Sequence, residues 1–297
     1  MSMSRPCPTH RPIDAANTGW PLGGRRRVLS GLRALVTGAS SGVGRALALE
    51  LSRRGVHVLA TARREPLLSS LAAEQAAGLC GPAIVYAAGD ITSADFRRHV
   101  IATAVEQIGG LDIVVAAAGS GAIGAFGAAT PDTLNRIMEI NFFAPAELVR
   151  QSLPVLAASY DPAVVFVGSI LGYHSLPLHA DYCAAKSAVR SLAGTLRMEL
   201  EADGIGVLLA SLGPTESEFW NHLISGRRPE WSRGKQMTAA RTAVAITVAL
   251  ERRRREILPG FQAKAFVLIA RLFPSLITAI LKQRFQRDVA VDHNQPQ

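Results

Sequence analysis

Thr37-Gly38-Ala39-Ser40-Ser41-Gly42-Val43-Gly44 is the stretch that decides the fold. It follows a short apolar run, Arg33–Thr37, and opens a segment with helical spacing. In such a strand-to-helix turn the glycines at 38, 42 and 44 have separate uses. The first allows a tight turn, the second lets backbone approach a pyrophosphate, and the third lets helix and strand pack closely. The first helical turn then offers free N–H groups and the positive end of its dipole to phosphate.

Working outward, apolar runs of strand length occur at 33–37, 56–60, 83–87, 113–117, 164–168 and 206–211. Runs that are apolar throughout suit strands buried on both faces of a parallel sheet. Helical patterns lie between them, at 43–54, 67–77, 93–108, 133–158 and 182–203. The alternation predicts an α/β fold: a doubly wound, Rossmann-type, mostly parallel sheet with helices on both faces. No fixed-period repeat and no Pro/Ser linker interrupts the region, so one domain is expected over residues 31–261. Residues 1–30, polar and rich in Pro, Gly and Arg, read as a disordered leader or an over-long gene start, with no secretory signal evident. Residues 262–297 form a C-terminal extension.

The 297 residues are 48% hydrophobic, enough for a large core, and 19% charged, which argues against wholesale disorder. The net charge of +9 is spread over short arginine clusters at 25–27, 63–64, 227–228 and 252–255. Without an aromatic-interleaved basic array or zinc-finger spacing, nucleic acid is not an expected partner. Three widely spaced cysteines, Cys7, Cys80 and Cys183, fit a reducing compartment without structural disulfides. No HExxH motif or His/Cys cluster indicates a metal.

Two further features complete the pattern. Ser169 ends the fifth apolar run, and Tyr182 and Lys186 follow as Tyr-x-x-x-Lys. Residues i and i+4 share one face of a helix, so phenol and ammonium point into the same space. A phenol ordinarily titrates near pH 10, and an adjacent ammonium is expected to lower that value. With the TGxxxGxG spacing of the glycine turn, this set resembles the short-chain dehydrogenase/reductase family over about Arg33 to Gly260, most of the chain.

The resemblance implies a nicotinamide-dependent interconversion of a carbonyl and a secondary alcohol. In it Tyr182 is the general acid/base, Ser169 holds the substrate oxygen, and Lys186 supports the phenol. Asn141 matches the family residue that holds a water relayed to the lysine. The implied cofactor contacts are Gly38, Ser40, Ser41, Gly42, Val43, Gly44, Asp90 with Ile91, Ala118 with Gly119, Tyr182, Lys186, and Gly213, Pro214, Thr215 and Ser217. Ala116-Ala117-Ala118-Gly119 departs from the family's Asn-Asn-Ala-Gly and loses two side-chain bonds. Leu212 likewise replaces a usual proline.

NAD-binding relatives carry Asp or Glu at the end of the second strand. Here Leu59-Ala60-Thr61-Ala62-Arg63-Arg64 has no carboxylate. Arg63 can fork onto a 2′-phosphate, with Ser41 and Arg45 assisting. NADP(H) is therefore expected over NAD(H).

Glu218–Met237 reads as a lid. Its Phe219, Trp220, Leu223 and Trp231, opposite Leu171, Tyr173 and Leu176, suit an apolar small-molecule substrate or simply anchor the loop. In the extension, apolar residues from Phe266 to Leu281 recur at helical spacing beside basic ones, and Pro274 should break the helix. That segment packs on the core or a partner subunit, or lies on an anionic membrane as an interfacial helix. The expected protein is a cytoplasmic homodimer or homotetramer, with peripheral membrane contact as the alternative setting. Competing readings are a nucleotide-binding regulatory protein without turnover, and a membrane-surface lipid- or steroid-type reductase.

Overall fold

The structure is a computed structural model and describes residues 26–78, 80–226, 228, 234 and 236–293. The leader reading over residues 1–25 and the expectations for Cys7, Arg25, Arg227, Pro229 and Trp231 lie outside these residues.

Seven parallel strands run in the order β3-β2-β1-β4-β5-β6-β7. They are β1 (Arg33–Thr37), β2 (His57–Ala62), β3 (Val85–Ala88), β4 (Ile113–Ala116), β5 (Ala163–Ser169), β6 (Gly206–Leu212) and the two-residue β7 (Glu256–Ile257). Alternate residues face opposite layers. Val36, Val58, Val115 and Val165 pack on one face, against helices α1 (Gly42–Arg53), α2 (Glu65–Gly78) and α7 (Ala239–Glu251). Leu35, Leu59, Val114 and Phe166 pack on the other, against α3 (Ala94–Ile108), α5 (Ala144–Leu156) and α6 (Ala180–Glu199). Strands covered on both sides need no polar alternation, which is why their sequences read as unbroken apolar runs. The chain reverses direction of winding between β1 and β4. That is where an open parallel sheet leaves a crevice beyond its C-terminal strand ends.

Four element assignments differ from the sequence reading. Helix α7 and strand β7 were not expected: in α7 (AARTAVAITVALE) the alanines favour a helix, and Ala243, Ile246 and Leu250 bury its inner face. The third strand starts at Val85 rather than residue 83, although Ile84 is already buried. The helix expected over 133–158 is broken into α4 (Pro131–Met138), a π turn (Glu139–Phe143) and α5. Pro145 has no N–H to give the carbonyl of Asn141 four residues back. Ala144 N instead reaches the carbonyl of Glu139, five back. As expected, the C-terminal segment is helical and broken at Pro274, into α8 (Phe261–Leu272) and α9 (Pro274–His293).

At the opposite end of the sheet, Asp161 ties the chain's early and late segments together. It accepts from Arg27 Nη2 at 2.7 Å and from Arg253 Nη1 and Nη2 at 2.8 and 2.7 Å. The Arg27 side chain is fully buried. Removing the carboxylate breaks a buried ion pair, a change that costs about 3–5 kcal/mol. Asp161→Ala should therefore lower the urea midpoint sharply. A loss under about 1 kcal/mol would show that solvent already screens the cluster.

Candidate active site

Every residue proposed from sequence for cofactor or catalysis, apart from Arg45, lines one cleft of about 630 Å³ at the C-terminal edge of the sheet. Its floor is the glycine turn. Gly38 has φ +68, and a Cβ there would stand 2.8 Å from the Ala118 Cα. A Cβ on Gly44 would stand 2.3 Å from the Gly38 carbonyl oxygen. These glycines let α1 start hard against the strand exit, with its N-terminus aimed into the cleft. The Thr37 hydroxyl accepts from Ala117 N at 3.0 Å and Ala118 N at 3.1 Å. The segment that lacks the family's asparagines is thus held by β1 instead.

At the other end of the floor stands the reactive group. Ser169 ends β5, and its Oγ accepts from Leu171 N at 3.1 Å. Tyr182 and Lys186 lie one turn apart on α6. The Lys186 Nζ sits 5.6 Å from the Tyr182 ring centroid and donates to the Val167 carbonyl at 3.2 Å. Asn141 projects from the π turn. Its Nδ2 donates to Ser120 O at 2.8 Å and Ile137 O at 3.0 Å. Its Oδ1 is buried with no donor among the described residues. A Cβ on Gly119 would stand 2.8 Å from that Oδ1 and 3.6 Å from Lys186 Nζ. The π turn thus aims Asn141 toward the lysine, a use to which such distortions are often put.

The electrostatics correct one expectation. Lys186 does not dominate the phenol. Burial pushes the Tyr182 hydroxyl above its ordinary value, against the opposing hydrogen bond from the Ser169 hydroxyl. Burial also lowers Lys186, from an ordinary 10.5 to about 8. Desolvation disfavours both charged forms and is the largest influence on each.

Not every sequence assignment to the walls holds. Arg45, expected to assist a 2′-phosphate, is turned away onto α2: it donates to Leu67 O at 2.8 Å and pairs with Glu74 at 2.7 Å. Tyr173 leaves the substrate wall and lies under the Arg190 guanidinium, 4.4 Å from its ring centroid. Leu223 does not line the cleft and packs beside Gly121. Leu171, Leu176, Phe219 and Trp220 do line it, and so does the exposed Arg63. The Asp90 carboxylate accepts from Thr92 N at 3.0 Å, shaping the turn after β3. Thr215 and Ser217 are occupied locally, with Gly213 O and Phe219 N.

Four features escaped the sequence reading. Arg64, rather than Arg63, fastens the glycine turn. It donates to Ser40 Oγ at 3.0 Å and Ser41 Oγ at 2.8 Å, and it reaches Glu218 of the lid at 2.9 Å. Its guanidinium holds the Glu218 carboxyl below the usual carboxylate range. The 3₁₀ turn (Glu218–His222) is pinned again where Ser120 Oγ donates to His222 O at 2.7 Å. It lays Phe219 edge-on to Tyr182, ring centroids 5.6 Å apart. His179 forms part of the wall just before α6, its ring nitrogen 2.8 Å from Pro177 O. Finally, Phe266, Leu281 and Phe285 of the extension roof the cleft. A clue was available in the i, i+4, i+8 spacing of Ile277, Leu281 and Phe285.

Residues 33–228 match the family model for short chain dehydrogenases. The chain belongs to this family. Its members are oxidoreductases that use a nicotinamide cofactor and generally act on CH–OH groups. Among curated relatives, a hydroxysteroid 11-beta-dehydrogenase 1-like protein of Macaca fascicularis is 35% identical over 61% of this chain and 62% of its own. Protein A of that name in Xenopus laevis is 31% identical over 84% of this chain and 86% of its own. The matched segment thus spans less than two thirds of the macaque relative. A crystal structure of a short-chain dehydrogenase from Streptomyces avermitilis superposes with a TM-score of 0.72 at 27% identity. The superposition covers 90% of this chain and all of that one.

The lysine makes a thermodynamic prediction. Below about pH 8 it is protonated in both folded and unfolded protein, and the cost of burying the charge is fully present. Between 8 and 10.5 the folded protein has lost that proton and the unfolded chain has kept it, so stability rises with pH. Lys186→Met should thus be more stable than the native protein near neutral pH, by about 1–3 kcal/mol, and the gap should close toward about pH 10. Urea melts across that range test it. A gap that does not depend on pH would contradict it.

Proposed function

We propose that the chain is an NADP(H)-dependent oxidoreductase that interconverts a carbonyl and a secondary alcohol on an apolar small molecule, with Tyr182 as general acid/base. The observation that carries the reading is the convergence of Tyr182, Ser169, Lys186 and Asn141 at one end of a cleft whose other end is a glycine-lined helix N-terminus.

The cleft fits the cofactor. The glycine turn exposes backbone where side chains would obstruct a pyrophosphate, and the buried Asn141 Oδ1 offers an acceptor next to the lysine. Gly38, Ser40, Ser41, Gly42, Val43 and Gly44 would hold the phosphates. Asp90 and Ile91 would border the adenine, and Ala118, Gly119, Gly213, Pro214, Thr215 and Ser217 the nicotinamide end. When bound, the nicotinamide gives or takes the hydride.

The remaining chemistry belongs to the chain. The Tyr182 phenol, pushed still higher by burial, is protonated at neutral pH, so its resting role is that of an acid. In reduction it gives its proton to the carbonyl oxygen. Ser169 donates a hydrogen bond to the same oxygen and fixes its position. The Lys186 ammonium stands beside the phenolate that results, and Asn141 orders the far side of the lysine. In the reverse direction the phenol must first lose its proton, so alcohol oxidation should need more alkaline conditions than reduction. Leu171, Leu176, Phe219, Trp220 and Phe266 make the substrate end apolar. The names of the hydroxysteroid dehydrogenase-like relatives point the same way, toward a bulky apolar alcohol or ketone.

Tyr182→Phe should abolish NADPH consumption across a panel of apolar ketones, with NADPH binding retained by fluorescence titration. Persistent turnover would remove Tyr182 from the mechanism.

The cofactor preference rests on Arg63 and on the absence of any carboxylate at the end of β2. A charge-assisted fork is worth about 1.5–3 kcal/mol, or about 10–100-fold in binding. Arg63→Ala should weaken NADPH binding by that factor and leave NADH binding within about twofold. Equal losses for both would place Arg63 away from the 2′-phosphate.

A further inference from the structure

Helices α8 and α9 present apolar residues on two sides. On the inner side, Ala263, Val267, Ala270 and Ile277 are buried, and Phe266, Leu281 and Phe285 roof the cleft. On the outer side, large apolar residues face outward: Phe261 is 84% exposed, Leu268 58%, Leu272 62%, Phe273 57% and Leu276 54%. Soluble proteins seldom leave so many large apolar side chains exposed together.

The charge on this segment has one sign. From Ile257 to Arg287 the sequence holds five Lys or Arg residues and no Asp or Glu. Lys264 and Arg271 are exposed on the same face of α8 as Phe261 and Leu268, and Lys282 is exposed on α9. No single helix among the described residues is long and apolar enough to cross a membrane. The two helices pass that test of length and composition only as a pair, and the pair is bent by 115°.

We propose that the outer face of α8 and the start of α9 docks on an anionic lipid surface. An apolar stripe bordered by cations meets both requirements of an interfacial helix: apolar side chains enter the headgroup boundary while the basic ones stay at the phosphates. A bent, basic pair lies on a bilayer rather than through it. A second copy of this chain is the less suitable occupant, because two such faces brought together would oppose like charges. The helices that form this face also roof the cleft, so docking would bring the cleft mouth to the lipid boundary.

The test uses the full chain in flotation with vesicles of phosphatidylcholine alone or mixed with phosphatidylglycerol. Binding should require the anionic lipid and weaken with salt. Each basic side chain at the surface contributes on the order of fivefold to partitioning. Lys264→Glu with Arg271→Glu should therefore reduce binding at least tenfold. Leu268→Ser with Leu272→Ser should also reduce it tenfold or more. Thermal unfolding followed by circular dichroism, and NADPH binding, verify that both variants are folded. Absence of binding to anionic vesicles overturns the proposal. So does a native dimer in sedimentation that the leucine variant dissociates, because the face would then belong to a second copy. Neither result bears on the redox reading, which stands or falls on turnover.

Discussion

A buried lysine constrains the rest of this molecule. Lys186 lies behind Tyr182 with its ammonium desolvated, held by one carbonyl of β5 and faced by Asn141. A folding chain would ordinarily avoid such a charge or pair it with a carboxylate. Among the described residues no carboxylate shifts its titration. The instability is concentrated beside the Tyr182 phenol, where the proposed reaction would form an anion. The chain is sparing with the residue: only four of its 32 basic residues are lysine. Arginine would hold its proton at any physiological pH, so a position that titrates requires lysine.

The parallel sheet is what makes this arrangement affordable in stability. Its two apolar layers fix β1, β4 and β5 so that their C-terminal ends open onto one crevice. The glycine turn, the small residues after β4 and Ser169 arrive there by strand geometry alone. Helix α6, which carries Tyr182 and Lys186, arrives by packing Val189 and Ala193 under the sheet. The 3₁₀ turn (Glu218–His222) and the extension then line the mouth of the crevice. Arg64 links the lid to the glycine turn through Ser40, Ser41 and Glu218, so the phosphate end and the substrate end of the cleft are mechanically joined.

The doubly wound sheet was legible in the sequence because strands buried on both faces announce themselves as apolar runs, and the residues of the glycine turn and Tyr-x-x-x-Lys motif do come together in the cleft. Other features depend on tertiary context. The π turn at Asn141 could have been suspected from Pro145 four residues on, but helical periodicity alone carries straight through it. Arg45 and Tyr173 were misplaced because spacing tells which face of a helix or loop a residue occupies, not which neighbour claims it: Glu74 claims one and Arg190 the other. The sign of the Tyr182 shift was misjudged for a related reason. Proximity of an ammonium can be read from i, i+4 spacing, whereas the depth of burial that outweighs it cannot.

The sharpest test of this account is a pH titration of the lysine side chains by nuclear magnetic resonance, with carbon-13 at the ε position. With four lysines in the chain, assignment needs only Lys186→Arg as a control. A signal that titrates near pH 8, and is lost in the arginine variant, is the predicted result. If no lysine signal titrates below about pH 9.5, the ammonium is solvated rather than buried. The picture of a desolvated amine standing ready for the tyrosine anion would then be wrong.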